Sequence, residues 1–329
     1  MKRREFIAGI GSAAAWPIVA RAQQPERVRR IGVLQILAAD DPDGMAETAA
    51  FLQGLAQLGW TDGGNVRIEY RHGLGNPDNV RKYAAEVAAR TPDVILSIGG
   101  VSQVGPLLQA TRTVPIVFTY AADPVGGGLV DSLARPGGNA TGFLAFEYSI
   151  SGKWLELLKQ IAPNMTRVAV LRDSNIPTGP GQFGVIQAMA PSLRVEVNPV
   201  NVRDVGEIER GIATFARSAN GGLIVTGSAL ALVQRDLIVA LAAQHKLPSV
   251  YWQRSFVTAG GLISYGASTT ELCRRAAAYV DRILRGERPA DLPVQAPTAY
   301  ELVVNLKTAR TLGIEIPATM RALANEVIE

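Results

Sequence analysis

Cysteine and histidine are nearly missing from these 329 residues. There is one cysteine, Cys273, and there are two histidines, His72 and His245. A lone cysteine closes no intrachain disulfide, and neither histidine stands at metal-ligand spacing from a second histidine or a cysteine. Cys273 falls in the helical pattern TTELCRRAAAYV, where a small buried residue is the expectation rather than a nucleophile. His245 closes a helical run, a position that suits a surface residue at a helix carboxyl end. Charge of one sign is also scarce. The formal net charge is +4, but Lys2, Arg3, Arg4 and Arg21 against Glu5 place +3 within the first 22 residues, which leaves +1 for the rest. A near-neutral body has no electrostatic footprint for nucleic acid. Nor is there a long hydrophobic run at the start: the apolar stretch from Phe6 to Ala20 is interrupted by Pro17 and falls short of the ~20 residues of a membrane span.

The motifs of common chemistries are equally absent. SIGGVSQVG (97–105) approaches G-x-S-x-G, but Val104 holds the last glycine position, so there is no nucleophile elbow. Gly152-Lys153 is followed by Trp154 and lacks the earlier glycine of a phosphate loop. Residues 9–14 fit G-x-G-x-x-A, yet no strand precedes them and the dinucleotide reading fails. Asp40, Asp41 and Asp43 cluster in AADDPDG, where carboxylates serve as turn and helix-cap residues or as ligand contacts. No catalytic set, metal site or cofactor is expected.

What is present begins with a leader. MKRREFIAGIGSAAAWPIVARAQQ has a basic start, an apolar middle and Ala20-Arg21-Ala22 before Gln23, the pattern of an export signal cleaved after Ala22. Arg3-Arg4 followed by Phe6 points to the twin-arginine route. With the one cysteine far from that point, a lipid-modified amino terminus is excluded, and the expected destination is the periplasm.

From residue 30 onward the same plan occurs twice. RIGVLQ (30–35), VRIEY (66–70), DVILSIG (93–99) and VPIVFTY (114–120) are echoed by RVAVLRD (167–173), LRVEV (193–197), GLIVTGSA (222–229) and LPSVYWQRS (247–255). Helical patterns at 45–58, 78–90, 102–112, 180–190, 204–217 and 228–243 fill the gaps. Apolar strands alternating with helices predict parallel sheets covered on both faces. The tail adds GGLISYG (260–266), a helix over 268–285, further strands, and a helical segment near 318–327. The expected organisation is an export signal at 1–22, a first lobe from 27–144 plus 263–295, and a second from 145–262 plus 296–329. Such sheets bind ligands beyond the carboxyl ends of their strands, and two facing lobes form a cleft that closes about a hinge.

Polar and aromatic residues at those strand ends are the candidate ligand contacts: Gln35, Ser102, Gln103, Tyr120 and Asp123 in the first lobe, and Asp173, Ser174, Asn175, Ser228, Tyr251 and Trp252 in the second, with Tyr265 after the later strand. Each has a local cap or packing role as its alternative. Glycines 99, 100 and 227 let a ligand approach backbone N–H groups at helix starts, which suits a carboxylate or another anion. YAADPVGGGLVDSLARPGGNATG, from Tyr120 to Gly142, reads as a ligand-facing loop, a turn into a short helix, then a second turn toward the hinge.

DPVGGGLVDSLARPGGNATG (123–142), GGLISYG (260–266) and PTAYELVVNLKTARTLGIEIP (297–317), with the exported leader, resemble the substrate-binding proteins of ABC importers, a family that includes tryptophan-binding members of the TrpX type. The resemblance runs the length of the chain. It implies the type I periplasmic-binding fold, α/β with two doubly wound parallel-sheet lobes and a three-crossover hinge. It also implies a monomer without enzymatic activity that captures a small solute, an amino acid or similar, and delivers it to a membrane permease with separate ATPase subunits. By that resemblance Ser102, Ser228 and Tyr120 would grip a carboxylate, and Asp123 or Asp173 an ammonium. An exported α/β enzyme and a sensory ligand-binding subunit are the alternatives.

Overall fold

The computed structural model describes residues 27–329, so the export signal lies outside the described residues. The first sheet is built from β1 (Arg29–Gln35), α1 (Pro42–Gln57), β2 (Val66–His72), α2 (Pro77–Ala89), β3 (Val94–Ile98), α3 (Val101–Ala110), β4 (Ile116–Ala121) and β5 (Ala140–Leu144). Its order is β2-β1-β3-β4-β5, all parallel. β3 and β4 are buried along their whole length, as the unbroken apolar runs require. Asp41 and Asn76 accept hydrogen bonds from the first-turn N–H groups of α1 and α2, and a proline follows each cap.

The second sheet follows with α4 (Ile150–Ile161), β6 (Arg167–Arg172), α5 (Thr178–Leu193), β7 (Glu196–Asn201), α6 (Val205–Phe215), β8 (Gly221–Val225), α7 (Ala229–Val233), α8 (Arg235–Gln244), β9 (Ser249–Tyr251), α9 (Arg254–Thr258) and β10 (Ile263–Gly266). Then come α10 (Thr269–Leu284), β11 (Glu301–Asn305), α11 (Leu306–Leu312), α12 (Ala318–Leu323) and β12 (Glu326–Ile328). The sheet order is β12-β11-β10-β9-β8-β6-β7, parallel except where β11 runs against β10. No described helix is long and apolar enough to cross a membrane.

Four sequence expectations shift. The strand expected at 193–197 starts at Glu196, because α5 runs on to Leu193 and Arg194 ends it in the left-handed conformation. The helix expected at 228–243 is two helices, α7 and α8, meeting at Gln234. Residues 318–327 hold both α12 and β12, the latter added to the sheet beside β11. Residues 263–266 were expected in the first lobe, but they form β10, which pairs with β9 and β11 in the second sheet.

Three segments connect the sheets. The chain leaves β5 and enters α4 across 145–149, and it returns across 267–268 to α10, which packs on α1 and on β3, β4 and β5. Gly54 permits that packing: a Cβ there would lie 2.8 Å from the Ala277 Cβ and 2.9 Å from the Arg274 carbonyl. Gln295 then pairs beside β5, donating to the Gly142 carbonyl at 3.0 Å, before the chain crosses to β11.

Candidate functional site

The carboxyl ends of β1, β3 and β4 face those of β6, β8 and β9 across a narrow space, partly open to solvent. Ser102, Tyr120, Ser228 and Trp252 line it, as sequence reasoning expected, together with Ile36, Phe146, Ile176, Thr178 and Leu232 and the backbone at Gly100 and Gly227. Trp252 is the central side chain. Its ring centroid is 6.4 Å from that of Tyr120 and 5.9 Å from that of Phe146, both edge-on. Tyr120 ends β4, Trp252 follows β9 and Phe146 belongs to the first crossing, so three aromatics from two lobes and the hinge meet here.

Tyr120 holds a left-handed backbone, φ 64°, which is strained for an aromatic residue and turns its ring out of the strand. Its hydroxyl donates to Glu47, a fully buried carboxylate on α1. The Gln35 amide donates to the other carboxylate oxygen at 3.2 Å, and its own oxygen accepts from the Ile36 N–H at 2.9 Å. Burial drives the Glu47 carboxyl up to about 7, against the hydrogen bonds from Tyr120 and Gln35 that favour its charged form. Burial, and the Glu47 charge after it, push the Tyr120 hydroxyl well above its usual value. Gln35 therefore stands behind the wall, braced through Glu47, and does not line the space.

The other expected residues are placed elsewhere. Gln103 is buried on α3, with its amide group against the Leu34 carbonyl of β1, and does not line the space. Asp123 accepts from the Gly126 N–H at 2.8 Å, and Asp173 from the Asn175 N–H at 2.9 Å, so both carboxylates close their own loops. The loop after Asp123 is a run of turns without the expected helix. Its later turn needs Gly137, at φ +79°, where a Cβ would meet the Asp131 carboxylate. Ser174 and Asn175 are exposed beyond β6. Tyr251 is buried in the core, stacked on Phe256 at 4.9 Å, because alternation along β9 sends it inward while Trp252 turns to the cleft. Tyr265 lies against Tyr300, and its carbonyl accepts from the Trp154 indole at 2.7 Å.

Some buried groups keep unused donors, Trp252 among the lining and Gln182 behind it. The Trp252 indole N–H is buried without a partner. Gln182, also buried, accepts from the Gly227 N–H at 2.9 Å and leaves its amide nitrogen unpartnered. Gly100 begins α3 with no side-chain cap, so the N–H groups of Val101 and Ser102 have no partner within the helix, while that of Gln103 reaches the Gly100 carbonyl at 2.9 Å. Ser228, by contrast, spends its hydroxyl oxygen on the Ala231 N–H at 3.3 Å.

At one edge the lobes are pinned. Arg235 of α8 reaches across to Asp41 at 2.6 Å, with Asp43 at 3.9 Å, and the paired side chains are mostly buried. Burial raises the Asp43 carboxyl, and Arg235 opposes that shift. Asp41 thus caps α1 and joins the lobes at once. Among the described residues no group of three or more histidine, cysteine or acidic side chains could hold a metal ion.

A two-lobed α/β molecule with a lined cleft and three connecting segments defines the type I periplasmic-binding class. Residues 30–328 match the family model for ABC transporter substrate binding proteins, and the chain belongs to that family. It is 24% identical over 290 residues to a tyrosine-binding protein of Clostridioides difficile, covering 88% of this chain and 82% of that one. A Streptococcus pneumoniae ABC domain in complex with L-Trp superposes with a TM-score of 0.81 at 25% identity, covering 91% of this chain and all of the other. The ligand-free, open structure of a Clostridium difficile substrate binding protein with adhesive properties gives 0.66 at the same identity, over 92% of this chain and 99% of that one.

Proposed function

We propose that the chain is an exported receptor of an ABC importer, acting in the periplasm as a monomer. It takes a small solute, an amino acid or similar compound, into the cleft, closes over it, and presents the closed form to a membrane permease whose ATPase subunits supply the energy. The observation that carries this reading is the space between the lobes, walled by Tyr120, Phe146 and Trp252 and bordered by the uncapped start of α3. Aromatic walls supply apolar contact, and free N–H groups at a helix start suit an anionic group of the solute. The tyrosine and tryptophan named for the two relatives favour an amino-acid-like solute here. Ser102, Tyr120, Ser228 and Trp252 are the contacts this reading assigns, with Gln35 in support. The protein binds its solute and leaves it unchanged.

The test is a thermal-shift panel of amino acids, amines, carboxylates and sugars against the purified protein, with chromatography of the bound compound. One solute should raise the melting temperature and be recovered intact. Conversion of that solute into a product would overturn the receptor reading.

A further inference from the structure

Building on the receptor reading, we infer that the cleft is made for an aromatic carboxylate and offers no counter-charge to an ammonium group. The lining supplies three aromatic rings and five aliphatic side chains, Ile36, Val101, Ile176, Ala229 and Leu232. Its polar groups are the hydroxyls of Ser102, Thr178 and Ser228 and the donors described above. None of the lining side chains carries a formal charge.

The unused hydrogen-bonding capacity is mostly of one kind. The Trp252 indole can only donate, and so can the backbone N–H groups that open α3. A solute that fills this space must therefore bring acceptors, and a carboxylate brings two oxygens and a charge that the helix start favours.

No carboxylate lines the space, and the acidic groups discussed above have partners of their own. Glu47 stands behind Tyr120 and holds Tyr120 and Gln35. Asp41 and Asp43 face Arg235. Asp123 and Asp173 accept from the N–H groups of their own loops. An ammonium enclosed here gives up its hydration without a partner charge, which is costly. The des-amino acid avoids that loss and keeps both the ring and the carboxylate.

Isothermal titration of the purified full chain with matched triplets tests this. On a phenyl ring the set is 3-phenylpropanoate, L-phenylalanine and 2-phenylethylamine, and on an indole ring the corresponding propanoate, L-tryptophan and tryptamine. In at least one triplet the propanoate should bind no more weakly than the amino acid and at least tenfold more tightly than the amine. An amino acid that outbinds its propanoate in both triplets, or an amine that matches it, overturns the inference. Silence of both triplets also overturns it, and the receptor reading survives that result if another member of the thermal-shift panel binds intact. Trp252→Phe keeps a ring and deletes the indole N–H: propanoate affinity should fall about fivefold with little change in melting temperature. Unchanged affinity removes the indole from the assigned donor set.

Discussion

The two walls of the cleft are finished to different degrees. On the first lobe, Tyr120 is bonded to Glu47, Glu47 to Gln35, and Gln35 to the β1 backbone, so this wall is set before any solute arrives. On the second lobe, Trp252 lines the space with its buried indole N–H left over. Satisfied polar networks rigidify a surface, while unpartnered buried donors hold a penalty that a ligand can relieve. The first wall is thus braced from within its own lobe, and the unpartnered indole donor lies on the second.

The sharpest way to break that contrast is Trp252→Ala, which strips the second wall of its ring and its free donor together. Solute affinity should fall about 30-fold or more, as for a central aromatic anchor, measured by titration below the melting transition. A loss of only a few-fold would assign the energy to the first wall instead.

Tyr120→Phe attacks the first wall. It leaves one oxygen of a buried carboxylate unbonded, and denaturant unfolding should report a loss of about 2 kcal/mol, with a smaller change in affinity. Glu47→Gln should act in the opposite sense as pH rises. The folded pKa of Glu47 is about 7 against an ordinary 4.5, so the fold holds this proton more tightly than the unfolded chain does. Stability is thus highest below the unfolded value, falls as pH climbs toward about 7, and levels off above. Unfolding experiments at pH 5 and pH 7.5 should show that decline in the parent and a flatter profile in Glu47→Gln. Equal slopes would mean that the carboxylate is ionised throughout.

The smallest effect is expected at the rim. Arg235→Ala removes the cation between Asp41 and Asp43, and solution scattering of the solute-free protein should shift toward a more open molecule. Affinity should weaken by about threefold, because the pair lies at the edge of the cleft and neither member lines the space, and added salt should weaken the parent more than the variant.

The doubled plan was legible because apolar strands alternate with helices on a repeating spacing, and residue order alone placed Ser102, Tyr120, Ser228 and Trp252 at strand ends. Tyr251 and Trp252 could not be told apart without the pleat, because adjacent residues point to opposite faces and only one can meet the cleft. Glu47 escaped notice as one acidic residue in a helix. Its position between Gly44 and Phe51, with Gly54 and Leu55 a turn further on, nevertheless puts it on the buried stripe of α1. Thr178, Ile176 and Phe146 lie at a helix start, in a loop and in the hinge, where local pattern carries little information about what two lobes bring together. The second crossing was misjudged by a few residues because β10 is apolar enough for either sheet, and pairing with β9 and β11 decides it.

The direction of the strands fixes where a tether can be attached. β1 enters its sheet from the end remote from the solute, while β12 runs parallel to β11, which is antiparallel to β10, so it also leaves on the remote side. A dye, resin or biosensor surface joined at either extremity of the described chain leaves the mouth facing bulk solution, and the receptor can be immobilised by either end without obstructing capture.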